Sequence, residues 1–270
     1  SGRKDPENHV AVNVCLYGPD ASYWAMTERG RDRLRRDPTR LEIGPSSLEW
    51  QEGRLVLAID EITVPRPPFQ WLPRRLRGSI VIEFETPMPD LELLLDPGGN
   101  HVWTPVAPMA RASVDFGASC AVSWDGAAYL DGNHGSRPIE RDFERWDWAR
   151  GSLRDGGALV VYDATGRDGR AARIGLAFRP DGGMRSFELP GRQALARGFW
   201  GVDRSIPCDA DSRPVLVGTL EDGPFYVRSV VETTIEGARA TMVHESLSGR
   251  RLAMPLVKAL LPVRMPRRAR

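Results

Sequence analysis

Glycine and proline punctuate this chain from end to end: 27 Gly and 22 Pro are spread over 270 residues rather than clustered, and stretches of roughly ten residues between turn signals recur along it. Helix interiors reject both residues, and this spacing favours many short strands joined by turns. The stretches between the breaks agree. RLVLAID (54–60), GSIVIEF (78–84), ALVVYDAT (158–165), ARIGLAF (172–178) and YVRSVVETTI (226–235) are rich in Val and Ile, and several alternate apolar with polar residues as half-buried strands do. The pattern predicts an all-β, mostly antiparallel fold with little helix. MTERGRDRLRRD (26–37) reads as a short helix or a charged turn, and the proline-rich VPRPPFQWLPRRLRG (64–78) as a linker or a strand-to-strand connection.

Length adds a prior of about two domains. The turn cluster DPGGN (96–100), after the acidic-apolar run PDLELLLD (89–96), is the boundary we expect, giving domains 1–98 and 99–270. Thirty-seven Lys+Arg against 36 Asp+Glu leave a net charge of +1, and no nucleic-acid partner is expected from so balanced a chain. Cys15, Cys120 and Cys208 are odd in number and far apart, which indicates neither a disulfide framework nor a CxxC site and suits a reducing compartment. His9, His101, His134 and His244 have no metal-ligand spacing, so no metal is expected. The chain contains no GxGxxG opening a helix, no GxxxxGK[ST], no HExxH and no GxSxG. Its start, SGRKDPENH, has neither an initiator Met nor an apolar leader, from which a missing native N-terminus is expected. No apolar run approaches the roughly 18 residues that span a bilayer. The apolar PLVKALLP (255–262) followed by the basic VRMPRRAR (263–270) fits peripheral contact with an anionic membrane surface, or a frayed terminus.

Two short stretches concentrate chemistry. In PGGNHVWTPVAP (97–108), His101 and Trp103 share a face if the segment is a strand; in GAAYLDGNHG (126–135), so do Tyr129 and Asp131. Each pair joins an aromatic ring to an ionisable group, and two such pairs can line one cavity. RWDW (145–148) adds Trp146 and Trp148 on a common face, with Asp147 opposite. The plainer alternative is that DGNHG is a turn in which Asp131 accepts backbone hydrogen bonds, that His101 is a structural histidine and that the tryptophans are core.

Longer blocks carry a resemblance. DPENHVAVNVCLYGP (5–19), WAMTERGR (24–31), LEIGPSSLEW (41–50), HVWTPVAP (101–108), YLDGNHGSRPIERDFERWDWAR (129–150) and MPLVKALLPVRMPR (254–267) resemble the carotenoid 1,2-hydratases, or hydroxyneurosporene synthases, of purple bacteria, nearly end to end. Members of that family carry further sequence before DPENH, often with an FSPYY-like segment. The resemblance implies two lipocalin-like antiparallel β-barrel domains and addition of water across the C1=C2 bond of the ψ-end of acyclic carotenoids such as neurosporene or lycopene. It implies no redox cofactor, and a place on the cytoplasmic side of the membrane that holds the substrate. It also implies that His101, Trp103, Tyr129 and Asp131 are the catalytic residues. The chemistry suits them. An isolated alkene is a poor base, so its hydration needs a donor that still holds its proton near neutral pH, and a carboxyl group in an apolar cavity meets that need. Asp131 is the expected acid. Trp103 and Tyr129 can stabilise cationic character at C1 by about 0.5–2 kcal/mol each, His101 can position water or take its proton, and Trp146 and Trp148 are candidate walls of a substrate cavity. A non-catalytic carrier of apolar ligands, or a cyclase or isomerase on the same scaffold, are the alternatives.

Overall fold

The computed structural model describes residues 5–18, 22–65 and 70–268, so residues 66–69 of the proline-rich passage lie outside the described residues. Strands dominate, as the turn spacing predicts. The chain divides into two compact units, one built from residues 1–84, 110–128 and 259–270, the other from 85–109 and 129–258. The turn at 96–100 therefore falls inside the second unit rather than between domains. There it joins two strands: Asp96 accepts from the backbone N–H of Gly98 (2.9 Å) and His101 (2.8 Å) and from Asn100 Nδ2 (3.0 Å). Gly99, at φ +63°, supplies the left-handed residue that such a turn requires.

The first unit begins with a hairpin of β1 (Asn13–Tyr17) and β2 (Ser22–Met26). The charged segment 26–37 is neither a proper helix nor a bare turn, but one 3-10 turn, Arg31–Arg33, running into a strand. Strands β3 (Leu34–Arg36), β4 (Arg40–Ile43), β5 (Ser46–Gln51), β6 (Arg54–Ile62) and β7 (Arg75–Phe84) form an antiparallel meander. The β5–β6 hairpin turns on Glu52 and Gly53, both at positive φ (48° and 83°), the geometry that matches strand twist in a two-residue loop. Inside this unit Glu61 is fully buried and receives Arg29 through two bonds of 3.0 and 2.8 Å and the Ser46 hydroxyl at 2.8 Å.

The short β8 (Leu93–Leu94) and the long β9 (His101–Asp115) follow. β9 changes partners along its length, Val102 and Trp103 pairing with β8 and residues 110–115 with β7. Pro105 and Pro108 fall between those two stretches, where a missing N–H costs no bond to either strand. A single helical turn α1 (Gly117–Cys120) precedes β10 (Ser123–Gly135), and β9 and β10 are neighbours in one sheet.

After the turn α2 (Ile139–Asp142), the second unit forms a seven-stranded sheet. β11 (Phe143–Ser152), β12 (Ala158–Gly166), β13 (Ala171–Phe178) and β14 (Met184–Phe187) make one meander. The small pair β15 (Arg192–Ala194) and β16 (Ser205–Pro207) intervenes, and β17 (Val215–Asp222), β18 (Tyr226–Ile235) and β19 (Ala238–Ser248) make a second meander that joins the first through β19 and β11. Period-two alternation gives this sheet two faces. One carries Ala149, Leu159, Val161, Val231 and Met242, all buried in one apolar cluster. The other carries Val160, Tyr162 and Leu176, which pack with Trp103, Met109 and Phe143 in a second cluster. α3 (Gly249–Leu252) and α4 (Pro255–Arg264) close the described chain.

Candidate active site

Asp131 lies within β10, not in a turn, so the alternation that puts it beside Tyr129 operates as in any strand. Its Oδ2 receives two neutral donors, Trp103 Nε1–H at 2.8 Å and the Tyr129 hydroxyl at 3.1 Å. Trp103 is fully buried. Around them stand rings from the sheet. Trp103 packs on Tyr162 (centroids 5.3 Å), Tyr129 on Trp148 (5.2 Å), and Trp146 on Tyr162 (5.8 Å). Strand pairing explains the arrangement: Trp148 is opposite Tyr162 and Trp146 opposite Ala164, so both tryptophans face the same way as Tyr162, while Asp147 points to the other side.

Electrostatics sets Asp131 apart. Burial pushes its carboxyl pKa up and the negative charge of Glu245 pushes it further, together outweighing the hydrogen bonds from Trp103 and Tyr129. Five other buried acids are met by cations: Glu61 by Arg29, Glu28 by Arg267 (2.7 Å), Glu140 by Lys258 (2.8 Å), Asp147 by Arg145, and Asp163 by Arg192 and by Arg173 (3.3 Å). Asp131 has neutral donors instead. A carboxylate withdrawn from water without a cation is costly, and taking up a proton removes that cost. Tyr129 and Tyr162 are also raised, by burial first and then by the charge of Asp131, so both hydroxyls keep their protons across the physiological range.

The indole N–H groups of Trp146 and Trp148 are buried without an acceptor among the described residues. That of Trp148 is near enough to the Tyr129 oxygen to act on it electrostatically, yet it does not reach hydrogen-bonding geometry.

His101 shares its strand face with Trp103 but is used differently. Its Nε2 meets Asp142 Oδ2 at 2.8 Å, Arg137 meets the other oxygen of Asp142 at 2.8 Å, and the ring packs on Phe143 at 4.9 Å. A cleft of about 590 Å³ opens at this end, with Asp142, Phe143, Arg137 and Arg141 in its wall; Asp131 is not part of that lining. The structure thus brings Trp103, Tyr129, Asp131, Trp146 and Trp148 together and ties His101 to Asp142.

Three residues of the constellation escape sequence reasoning. Tyr162 sits in a strand that reads as plain core, and its only local signal is that Val160, Tyr162 and Ala164 share a parity. Glu245 and Arg228 are adjacent only through the pairing of β18 with β19. Among the described residues no cluster of His, Cys, Asp and Glu has the composition to hold a metal ion.

The acyclic carotenoid 1,2-hydratase of Thiocapsa roseopersicina is 44% identical over 267 residues, covering 98% of this chain and 64% of that protein. The acyclic carotenoid 1,2-hydratase of Cereibacter sphaeroides is 41% identical over 268 residues, covering 99% and 92%. The chain thus spans less than two thirds of the first relative's length and nearly all of the second's. A crystal structure of CghA with Sch210972 is similar at a TM-score of 0.43 and 12% identity, over 86% of this chain and 82% of that one. All 270 residues match the family described as carotenoid hydratase CrtC, and the chain belongs to that family.

Proposed function

We propose that this chain adds water across the C1=C2 bond at the ψ-end of an acyclic carotenoid such as neurosporene or lycopene, with Asp131 as the acid. The observation that carries this reading is a carboxyl group withdrawn from water, bonded by two neutral donors and walled by aromatic rings. The reaction balances with water alone. Asp131 transfers its proton to C2, leaving a tertiary cation at C1. Water adds to C1 and loses a proton, which restores the acid. The faces of Tyr129, Trp148 and Tyr162 offer negative potential to the cation at about 0.5–2 kcal/mol each. The vacant indole N–H groups of Trp146 and Trp148 suit an oxygen acceptor, the incoming water or the product hydroxyl. His101, bonded to Asp142, holds the start of the strand that carries Trp103 and supports the site from outside it.

The substrate lives in lipid, and α4 is built to meet it there. Leu256, Leu260 and Val263 lie on one face of this helix and are exposed at 68%, 40% and 68%. Arg264 and Arg268 supply positive charge nearby, while Lys258 and Arg267 are paired with Glu140 and Glu28. We place the chain peripherally on the cytoplasmic side of a membrane, with α4 lying in the interface. No helix among the described residues is long and apolar enough to cross a bilayer.

The test is incubation of the purified chain with lycopene in liposomes and mass spectrometry for a product heavier by one water. Product from wild type and none from Asp131→Asn supports the assignment; retention of lycopene without conversion points to a carrier instead. Replacing Leu256, Leu260 and Val263 together by Ser should weaken liposome binding. Equal binding by both chains removes α4 from the contact.

A further inference from the structure

The aromatic row of the second unit ends in a charge. Read across the seven-stranded sheet, paired residues on the site face run Ile174, Tyr162, Trp148, Glu245 and Arg228, on β13, β12, β11, β19 and β18. Adjacent strands are about 4.8 Å apart. Glu245 is therefore one strand from Trp148, which packs on Tyr129, the residue that bonds Asp131. Arg228 stands one strand farther out and closes on Glu245 from that side, with Nε at 2.9 Å and Nη2 at 2.7 Å from Oε1. Tyr226 lies beside both, its hydroxyl 3.0 Å from Arg228 Nε. The Glu245 side chain is only 18% exposed.

We propose that Glu245, anchored by Arg228, is a positioning residue of this site: its negative charge, one strand from Trp148, governs the pH range over which Asp131 keeps the proton it delivers. The proposal rests on the hydratase reading and adds a second carboxyl group to it. An alkene-protonating acid must be charged with its proton at working pH. Burial supplies most of that, and a like charge nearby adds to it, because a carboxyl group resists ionising near a second negative charge. The field of Glu245 is felt at Asp131, Tyr162 and Tyr226 alike, which marks it as the local source of negative potential. Arg228 cancels only part of it at Asp131, because it stands one strand farther from Trp148 than Glu245 does. The other groups facing Asp131 are Trp103 from β9, Tyr129 on its own strand and Tyr162 from β12. Arg150 lies toward Tyr129 and Glu85, and its guanidinium is occupied by Pro108 O (3.1 Å) and Ser152 Oγ (2.9 Å).

The experiment follows the Asp131 carboxyl directly, by carbon-13 NMR of aspartate-labelled protein, with the spectrum of Asp131→Asn identifying its resonance. In Glu245→Gln the titration midpoint should fall by on the order of one pH unit. The alkaline limb of the hydration profile should move the same way, so that the rate is lost more at high pH than at low. In Arg228→Gln, where Glu245 loses its anchor and its counter-charge, the midpoint should rise. A midpoint unmoved in folded Glu245→Gln overturns the proposal; if that chain does not fold, an unmoved midpoint in Arg228→Gln does so. The titration needs no substrate. A wild-type chain that fails to hydrate lycopene while the midpoint still moves would sink the functional reading alone.

Discussion

Replacing Asp131 by Asn and, separately, by Ala divides the proton it gives from the hydrogen bonds it receives. Both donors, Trp103 Nε1 at 2.8 Å and the Tyr129 hydroxyl at 3.1 Å, end on Oδ2. Asn can put its amide oxygen there and keep both, but its NH2 group, at the Oδ1 position, has no proton acidic enough for carbon. General-acid catalysis contributes about 10²–10⁴-fold, so hydration should fall by that factor, or about 3–5 kcal/mol in the barrier. Stability should move the other way. Because the pKa of Asp131 is raised on folding, its contribution to stability is fully present below the unfolded value of about 3.9 and is lost as pH rises through the folded value. At pH 8 wild type bears that loss and Asn does not, so Asp131→Asn should melt at or above wild type. Ala removes the acceptor and strands two donors, one on a fully buried indole. At about 1–3 kcal/mol each, the cost is about 2–6 kcal/mol, a fall in melting temperature of several degrees to about 20 °C. Lycopene turnover by mass spectrometry and calorimetry at pH 8 check both. An Asn variant within tenfold of wild type in rate, or melting clearly below it, would refute the reasoning.

Three further outcomes are expected. Arg29→Met leaves Glu61 fully buried with the Ser46 hydroxyl but no cation, and should cost about 3–5 kcal/mol in urea unfolding; a loss below about 1 kcal/mol would show that the site relaxes or hydrates. Trp148→Leu removes the ring that packs on Tyr129 and should slow hydration by about 2–30-fold, the equivalent of one cation–π contact; an unchanged kcat would place that ring outside the reaction. His101→Ala breaks the 2.8 Å bond to Asp142 and the stacking on Phe143, and should lower stability by about 1–3 kcal/mol while leaving at least tenfold more activity than Asp131→Asn. A kinetic loss as deep as that of Asp131→Asn, at unchanged melting temperature, would move His101 into proton transfer.

Strand parity made much of this site legible before any coordinates. It put Trp103 on the face of His101, Tyr129 on that of Asp131, and Trp146 with Trp148, because a pleated strand admits no other arrangement. Parity says nothing about which strand lies opposite. His101 and Trp103 leave the same face of β9 and part company, one to Asp142 in α2 and the other to Asp131 in β10. Glu245 and Arg228 were invisible for the same reason, since only the pairing of β19 with β11 and β18 brings them beside Trp148. The turn at 96–100 showed where the chain bends, but of the four passages between units one follows β7, one lies inside α4 and two lie in the middle of β9 and β10, whose residues look like uninterrupted strand. A boundary inside a strand leaves no turn signal to read.

The two faces of the seven-stranded sheet handle charge in opposite ways, and the first is a condition for the second. Behind the aromatic row, Asp147 is bonded by Arg145 and Ser246, and Asp163 by Arg192 and Arg173. His244 gives its Nε2–H to the Ser205 carbonyl at 3.0 Å. Buried pairs of this kind add little to stability when compared with apolar packing, but breaking one is expensive. Their effect falls on register. A slip of one residue along β11 or β12 would carry Asp147 or Asp163 onto the face of Trp103 and Met109, away from its arginines, and would carry Trp146, Trp148 or Tyr162 to the back. The penalty for uncovering two such carboxylates excludes the slipped pairings. Trp148 is thereby held opposite both Tyr162 and Glu245, and the rings that β11 and β12 bring to the site, Trp146, Trp148 and Tyr162, are aligned by charges on the other side of the sheet.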